Sequence, residues 1–164
     1  MTAPTTTAPY RLPAGTGLAD VWWKSGRISV KLTGAETGGA LAQVESDDPR
    51  GAAPPLHVHR NEEETFYVLD GSLSVFVADE ELRLETGDFT VVPRGVPHAY
   101  LVRSERARLL VSFSPAGFEE AFVELGVPVE GSAPPADDVF PGPEEAGRVF
   151  AAYGCEIVGP PPTL

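Results

Sequence analysis

The chain contains three histidines, and all of them fall in two short stretches with the spacing of metal ligands. The first stretch runs Pro54-Pro55-Leu56-His57-Val58-His59-Arg60-Asn61-Glu62-Glu63-Glu64, and the second ends Pro93-Arg94-Gly95-Val96-Pro97-His98. Neutral imidazole is the commonest side-chain metal ligand near neutral pH. His57 and His59 are two residues apart, which on a strand puts both rings on one face, whereas on a helix they would splay. Pro54-Pro55 just upstream disfavours a helix and favours an extended entry. A carboxylate follows at Glu63 or Glu64, and His98 would arrive from a strand distant in sequence. Three nitrogens and one carboxylate oxygen suit one divalent transition metal, Mn, Fe, Co, Ni, Cu or Zn, better than Mg or Ca. Around an octahedral ion, four protein ligands leave positions open for water, O2 or a chelating substrate. A structural zinc site would more commonly use cysteines, and the lone Cys155 is far away in sequence.

The elements that must carry these residues read as strands. Val21-Trp22-Trp23 precedes a turn at Lys24-Ser25-Gly26, and Arg27–Thr33 alternates with Ile28, Val30 and Leu32 on one side. Gly34–Gly39 reads as a loop, Ala40–Glu45 as a strand, and Ser46–Ala53 as a loop into the first histidine stretch. Thr65–Leu69 and Leu73–Ala78 read as a hairpin joined at Asp70-Gly71. Leu82–Glu85, Phe89–Val92, His98–Arg103 and Ala107–Phe113 complete about ten short strands with no helix among them, the pattern of a double-sheet jelly roll or small barrel. After Pro115 the periodicity changes. Phe118, Ala121, Phe122 and Leu125 make a helical apolar face that Gly126 would end, and residues 127–142 read as loop. Pro143, Glu144-Glu145, Ala146, Val149, Phe150 and Tyr153 mark a second short helix closed by Gly154. The expected organisation is a flexible segment over 1–17, a barrel over 18–115 and a helical and loop extension over 116–164 packed on it.

Together the two histidine stretches resemble the cupin family. Gly51, five residues, His57-Val58-His59, four residues, Glu64, six residues and Gly71 match the first cupin motif. Gly71 decides the carboxylate, because counting back six residues lands on Glu64 and leaves Glu63 in reserve. Gly87, Pro93, Gly95 and His98 match the second motif, and Val102 stands where the family pattern has Asn. The other glutamates of the Glu62-Glu63-Glu64 run read as a solvated acidic face. The resemblance implies an all-β cupin barrel with His57, His59, Glu64 and His98 as metal ligands, and a homodimer. Phe113-Ser114-Pro115-Ala116-Gly117-Phe118-Glu119-Glu120, with Leu125-Gly126, is similar to the helix after the barrel in small bacterial cupins related to quercetin (flavonol) dioxygenases, where that region helps close the barrel mouth. The alternative is a helix that covers the barrel's outside. Likeness to quercetinases implies that a phenolic or enolisable substrate is opened by O2, with Glu64 taking the substrate proton. An isomerase, cyclase or decarboxylase, or a binding barrel without catalysis, would use the same scaffold.

Candidate cavity walls are Phe66, Phe76, Phe89, Tyr100 and Phe113, and Lys31, Gln43 and Tyr100 are polar groups that could orient a substrate. Arg94, Arg103, Arg106 and Arg108 are expected to scatter over the surface or pair with the acidic excess, and Cys155 has no assigned role. The chain of 164 residues, with 17 glycines and 17 prolines, suits one turn-rich domain. A net charge of −12 disfavours nucleic acid and anionic membranes. One cysteine excludes an intrachain disulfide and fits a reducing compartment. No apolar run is long enough to span a bilayer, and Met1–Pro9 lacks signal-peptide character, so a cytoplasmic location is expected.

Overall fold

The computed structural model describes residues 8–164, so the expectation of flexibility for residues 1–7 lies outside the described part. Among the described residues, twelve strands are arranged in two antiparallel sheets. In chain order they are β1 (Ala19–Trp23), β2 (Gly26–Leu32), β3 (Ala42–Pro49), β4 (Leu56–His59), β5 (Glu63–Asp70), β6 (Ser72–Val77), β7 (Glu80–Glu85), β8 (Phe89–Val92), β9 (His98–Val102), β10 (Arg106–Ser114), β11 (Val127–Pro128) and β12 (Cys155–Gly159). One sheet has the order β11-β1-β2-β3-β10-β5-β8 and the other β12-β4-β9-β6-β7. The two sheets form the walls of a jelly-roll barrel. Val30, Val44, Phe66, Val68, Leu73, Val75, Leu109 and Phe113 are sealed in the core. Three short helices are added: α1 (Gly34–Thr37), α2 (Glu119–Leu125) and α3 (Pro143–Ala152).

Besides the short β11 and a 3-10 turn at Asp137–Val139 within the expected loop 127–142, four features differ from the sequence expectation. Residues 34–39 are not simply a loop, because Thr33 and Glu36 form a capping box that winds α1. β3 runs on through Ser46-Asp47-Asp48 to Pro49, paired on both sides with β2 and β10. Polar composition suggested a loop, yet strict alternation turns Ser46 and Asp48 inward with Ala42 and Val44. Asp70-Gly71 is not a hairpin: β5 pairs with β10 and β8, whereas β6 pairs with β7 and β9 in the opposite sheet. The pair forms a corner, where Gly71 has φ +85 and a Cβ would lie 2.2 Å from the Arg106 carbonyl oxygen. Finally, the chain after α3 returns as β12 to pair with β4, Cys155 opposite His59 and Ile157 opposite His57.

The C-terminal helices are held by specific contacts. Buried Glu119 accepts hydrogen bonds from the amides of Gly34 (2.8 Å) and Gly117 (2.6 Å), which ties α2 to α1 across the barrel rim. Phe118 packs in T-shaped contact with Phe113 and in a tilted contact with Phe150. The four arginines pair with acids as expected: Arg94 with Glu63, Arg103 with Glu81, Arg106 with Asp47 and Arg108 with Glu45. No helix among the described residues is long and apolar enough to cross a membrane.

Candidate metal centre

The two sheets contribute unequally to one buried cluster. β4 and β9 lie side by side with His57 directly opposite His98, and His59 follows His57 on the same face. β5 presents Glu64 from the other sheet, so the cluster bridges the barrel. All four side chains are buried, and their candidate donor atoms lie within 4.8 Å of one another. His98 Nε2 is 2.7 Å from Glu64 Oε2, and His59 Nε2 is 3.3 Å from the same oxygen. The structure thus brings together the three histidines that the spacing singled out and the glutamate that the motif resemblance selected. Glu63, the reserve, is half-buried and pairs with Arg94.

Each imidazole is oriented through its other nitrogen. Nδ1–H of His57 donates to the Pro55 carbonyl at 2.8 Å, and that of His98 to the Val96 carbonyl at 3.0 Å. Nδ1–H of His59 donates to Glu62 Oε1 at 2.6 Å. Such partners fix the tautomer and leave Nε2 available to an ion. His59 Nε2 is buried and makes no hydrogen bond of normal geometry. This orphaned nitrogen, inside an N3O donor set with every Nδ1 already engaged, fits a divalent transition metal.

Glu62 is where the sequence reading fails. Its place in an acidic run predicts a solvated side chain, but it is 2% exposed and turns into the barrel to hold His59. Its i+3 offset from His59 does not by itself separate it from the two glutamates that follow. Electrostatics in the metal-free protein follow from these contacts. Burial opposes charge on His59, but the carboxylates of Glu62 and Glu64 outweigh it and raise its pKa to about 9. Burial lowers the pKa of His57 to about 4, helped by His98 and His59 and only partly offset by Glu64. Burial would raise the pKa of Glu64, but the close approach of the His59 and His98 rings holds it well below the usual carboxylate range.

A cavity of about 440 Å³ opens onto the cluster. Phe66, Tyr100 and Phe113 line it as expected, whereas Phe76 does not reach it and Phe89 is 61% exposed on the outer surface. Lys31 and Gln43 face outward, Lys31 to the Thr16 carbonyl and Glu45, Gln43 to Ser112. Phe118, Phe122 and Phe150 from the C-terminal segment also line the cavity, and Phe118 stands edge-on to His59 with ring centroids 4.3 Å apart. The first C-terminal helix therefore covers the site and not merely the barrel's outside. Cys155 lines the cavity too, and its thiol pKa is pushed up by burial and by the charges of Glu64 and Glu62. Val102, standing where the motif has Asn, is fully buried and exchanges backbone hydrogen bonds with Gly51 and Ala52, so an apolar contact fills that place. A second groove, of about 660 Å³, lies on the outside between Asp47, Asp70, Glu105 and Arg106 and includes none of the histidines.

Comparison with known proteins agrees with this geometry. Residues 44–113 match the cupin domain family model. Quercetin 2,3-dioxygenase of Bacillus subtilis is 36% identical over 109 residues, covering 66% of this chain and 32% of the dioxygenase. The chain thus spans about a third of the length of that curated relative. Among solved structures, Bacillus subtilis oxalate decarboxylase superposes with a TM-score of 0.54 at 29% identity, over 60% of this chain and 27% of that one. An RmlC-like cupin of Shewanella frigidimarina superposes with a TM-score of 0.57 at 21% identity, over 71% of this chain and 98% of that one, and supports the fold alone.

Proposed function

Taking the chain as a cupin-superfamily protein that resembles the quercetin dioxygenase-like cupins, we propose that it is a metal-dependent oxygenase that opens a phenolic or enolisable small molecule with O2. The observation that carries this reading is the position of the His57, His59, Glu64 and His98 donors at the end of an apolar, aromatic-walled cavity. A divalent transition ion bound by these four residues would supply a Lewis-acid and redox centre with coordination positions open to substrate and O2.

The chain's own residues then have distinct tasks. Glu64 is the catalytic group: its carboxylate, ionised at neutral pH, takes the proton of the substrate hydroxyl as that oxygen arrives. Glu62 holds the ring of His59 in its ligating tautomer. Phe66, Phe113 and Phe118 exclude water from the reacting carbons and offer their faces and edges to an aromatic ring. The cavity volume lies in the range that encloses a small organic ligand. Decarboxylation on the same scaffold is the second reading, supported by the structural likeness to oxalate decarboxylase. Cavity size and aromatic walls favour the oxygenase, since a two-carbon diacid would fill little of this space. The same proposal takes the protein as a cytoplasmic homodimer, which light scattering of the purified protein tests.

The deciding experiment is oxygen uptake. Protein purified without a nickel column is analysed for metal by mass spectrometry, loaded with each candidate ion and mixed with flavonols in an oxygen electrode. Consumption of O2 in step with loss of the flavonol chromophore, abolished in Glu64→Gln, is expected. Full metal loading with no O2 uptake under any ion, together with CO2 release from a carboxylic acid, would transfer the proposal to the decarboxylase.

A further inference from the structure

The cavity has a second polar locus besides the metal-ligand cluster. Asp48 on β3 is 6% exposed and lines the cavity between the β1–β2 turn and the histidines. Its Oδ2 accepts a hydrogen bond from Tyr100 Oη at 3.0 Å, so this contact, like the histidine cluster, spans the two sheets. Its Oδ1 lies against Gly26, where a Cβ would come within 2.1 Å. The glycine thus leaves room for a carboxylate to sit at the wall. Two residues before Asp48 on the same inward face, Ser46 is also 6% exposed and lines the cavity, and its Oγ is shut from solvent without a hydrogen bond of normal geometry. Tyr100 follows His98 on the same strand face, about 7 Å along β9, so this locus lies within one small molecule's length of the candidate metal centre.

A buried carboxylate offers about four acceptor positions; Tyr100 fills one, the Ser46 hydroxyl lies close enough to favour the charge, and the others are open to a ligand. A barrel interior gains nothing from leaving an acid and a hydroxyl underused, because burying polar groups without full hydrogen bonding costs stability. Among the described residues no basic side chain makes an ion pair with Asp48, so its charge is not already neutralised. What the arrangement suits is a neutral ligand that brings hydrogen-bond donors.

We propose that Asp48, Ser46 and Tyr100 form a hydroxyl-reading subsite, in which a second hydroxyl of the ligand donates to Asp48 while the first faces Glu64. The proposal deepens the oxygenase reading and rests on it for the orientation of the ligand. Asp48 is a specificity residue here, not a proton carrier for the reaction.

The test is calorimetric binding under argon to metal-loaded protein, so that no turnover occurs. The probes are quercetin and 3-hydroxyflavone, which share the ring frame and the reacting 3-hydroxyl but differ in the remaining hydroxyls. Hydrogen bonds to a charged acceptor are strong enough that the wild type is expected to prefer quercetin by about 10- to 100-fold. Asp48→Ala reduces that preference to within about twofold by raising the Kd of quercetin and leaving that of 3-hydroxyflavone nearly unchanged, since only one probe can use the lost acceptor. Ser46→Ala, which keeps the carboxylate and perturbs packing little, reduces the preference severalfold. An unchanged preference in both variants overturns the subsite. Equal affinity of the wild type for the two probes, or no binding of either, does so as well. Oxygen uptake reports separately: selective binding without uptake removes the oxygenase and keeps the subsite, and uptake without Asp48-dependent selectivity does the reverse.

Discussion

Replacing Glu62 with Gln leaves all four candidate metal donors in place and removes only the anion that holds His59 Nδ1–H at 2.6 Å. Two effects then oppose each other. Loss of an orienting carboxylate behind a ligating histidine typically weakens metal affinity about 10- to 100-fold, or about 1.4–2.8 kcal/mol. Against this, Glu62 also helps hold a proton on His59 in the metal-free protein, where the pKa is about 9. An incoming ion must displace that proton, and at neutral pH the displacement costs about two pKa units, or about 2.7 kcal/mol. Glu64 supplies part of the same elevation, so the substitution relieves only a share of it. Above the pKa of His59 the competition vanishes for both proteins and only the orienting loss is left. The expected result is a Kd about 10- to 100-fold weaker in Glu62→Gln near pH 9.5, narrowing to severalfold or less near pH 6.5. Competition of a zinc-chelating dye with each protein across that range measures it. No weakening at the high pH, or a ratio that does not change with pH, would refute the assigned role of Glu62.

Three further outcomes follow from the same contacts. His98→Ala or Glu64→Ala should lose most of the bound metal by mass spectrometry while the strand-rich circular dichroism is kept; full retention of metal in both would remove the proposed site. Burial lifts the carboxyl of Asp48 from 3.8 to about 6, with the Ser46 and Tyr100 hydroxyls offsetting it only in part. Because this pKa is raised on folding, the associated stability is present below the unfolded value and is lost as pH rises through about 6, a cost of about 3 kcal/mol at higher pH. Asp48→Asn should therefore gain melting temperature over the wild type at about pH 8 and much less at about pH 4; equal differences at the two pH values would contradict the burial argument. Phe118→Ala removes a buried ring that touches His59, Phe113 and Phe150. It should destabilise the fold by about 3–5 kcal/mol in denaturant unfolding, and a loss below about 1 kcal/mol would mean that the C-terminal segment merely rests on the barrel.

The candidate ligands were legible because their signal is local. A two-residue histidine spacing needs only a strand to place both rings on one face, and the glycine count singled out Glu64. Glu62 was not legible, since three consecutive glutamates look alike in sequence and only the turn after β4 decides which one points inward. The inner end of β3 failed for a related reason. Ser46-Asp47-Asp48-Pro49 has the composition of a turn, and a strand with polar residues on its inward face can be recognised only once its partners β2 and β10 are known. Sheet membership is long-range in the same way: Asp70-Gly71 suits a hairpin as well as a corner, and the pairing of β6 with β9 decides between them. The helix after Pro115 was visible in its periodicity, but that its aromatic face closes the cavity depends on Glu119 anchoring it to Gly34.

The pairing of β12 with β4 also bears on when the centre can form. His59 lies opposite Cys155, and His57 opposite Ile157. On the ribosome, both histidines emerge well before the strand that flanks them, and His98 and the covering α2 appear in between. Until β12 arrives, β4 has β9 on one side and an open backbone edge on the other. Contacts this distant in sequence form late in folding. A metal centre built on these residues would therefore have its full strand frame only after the last of its four candidate donors, and a further half-barrel of chain, has been made.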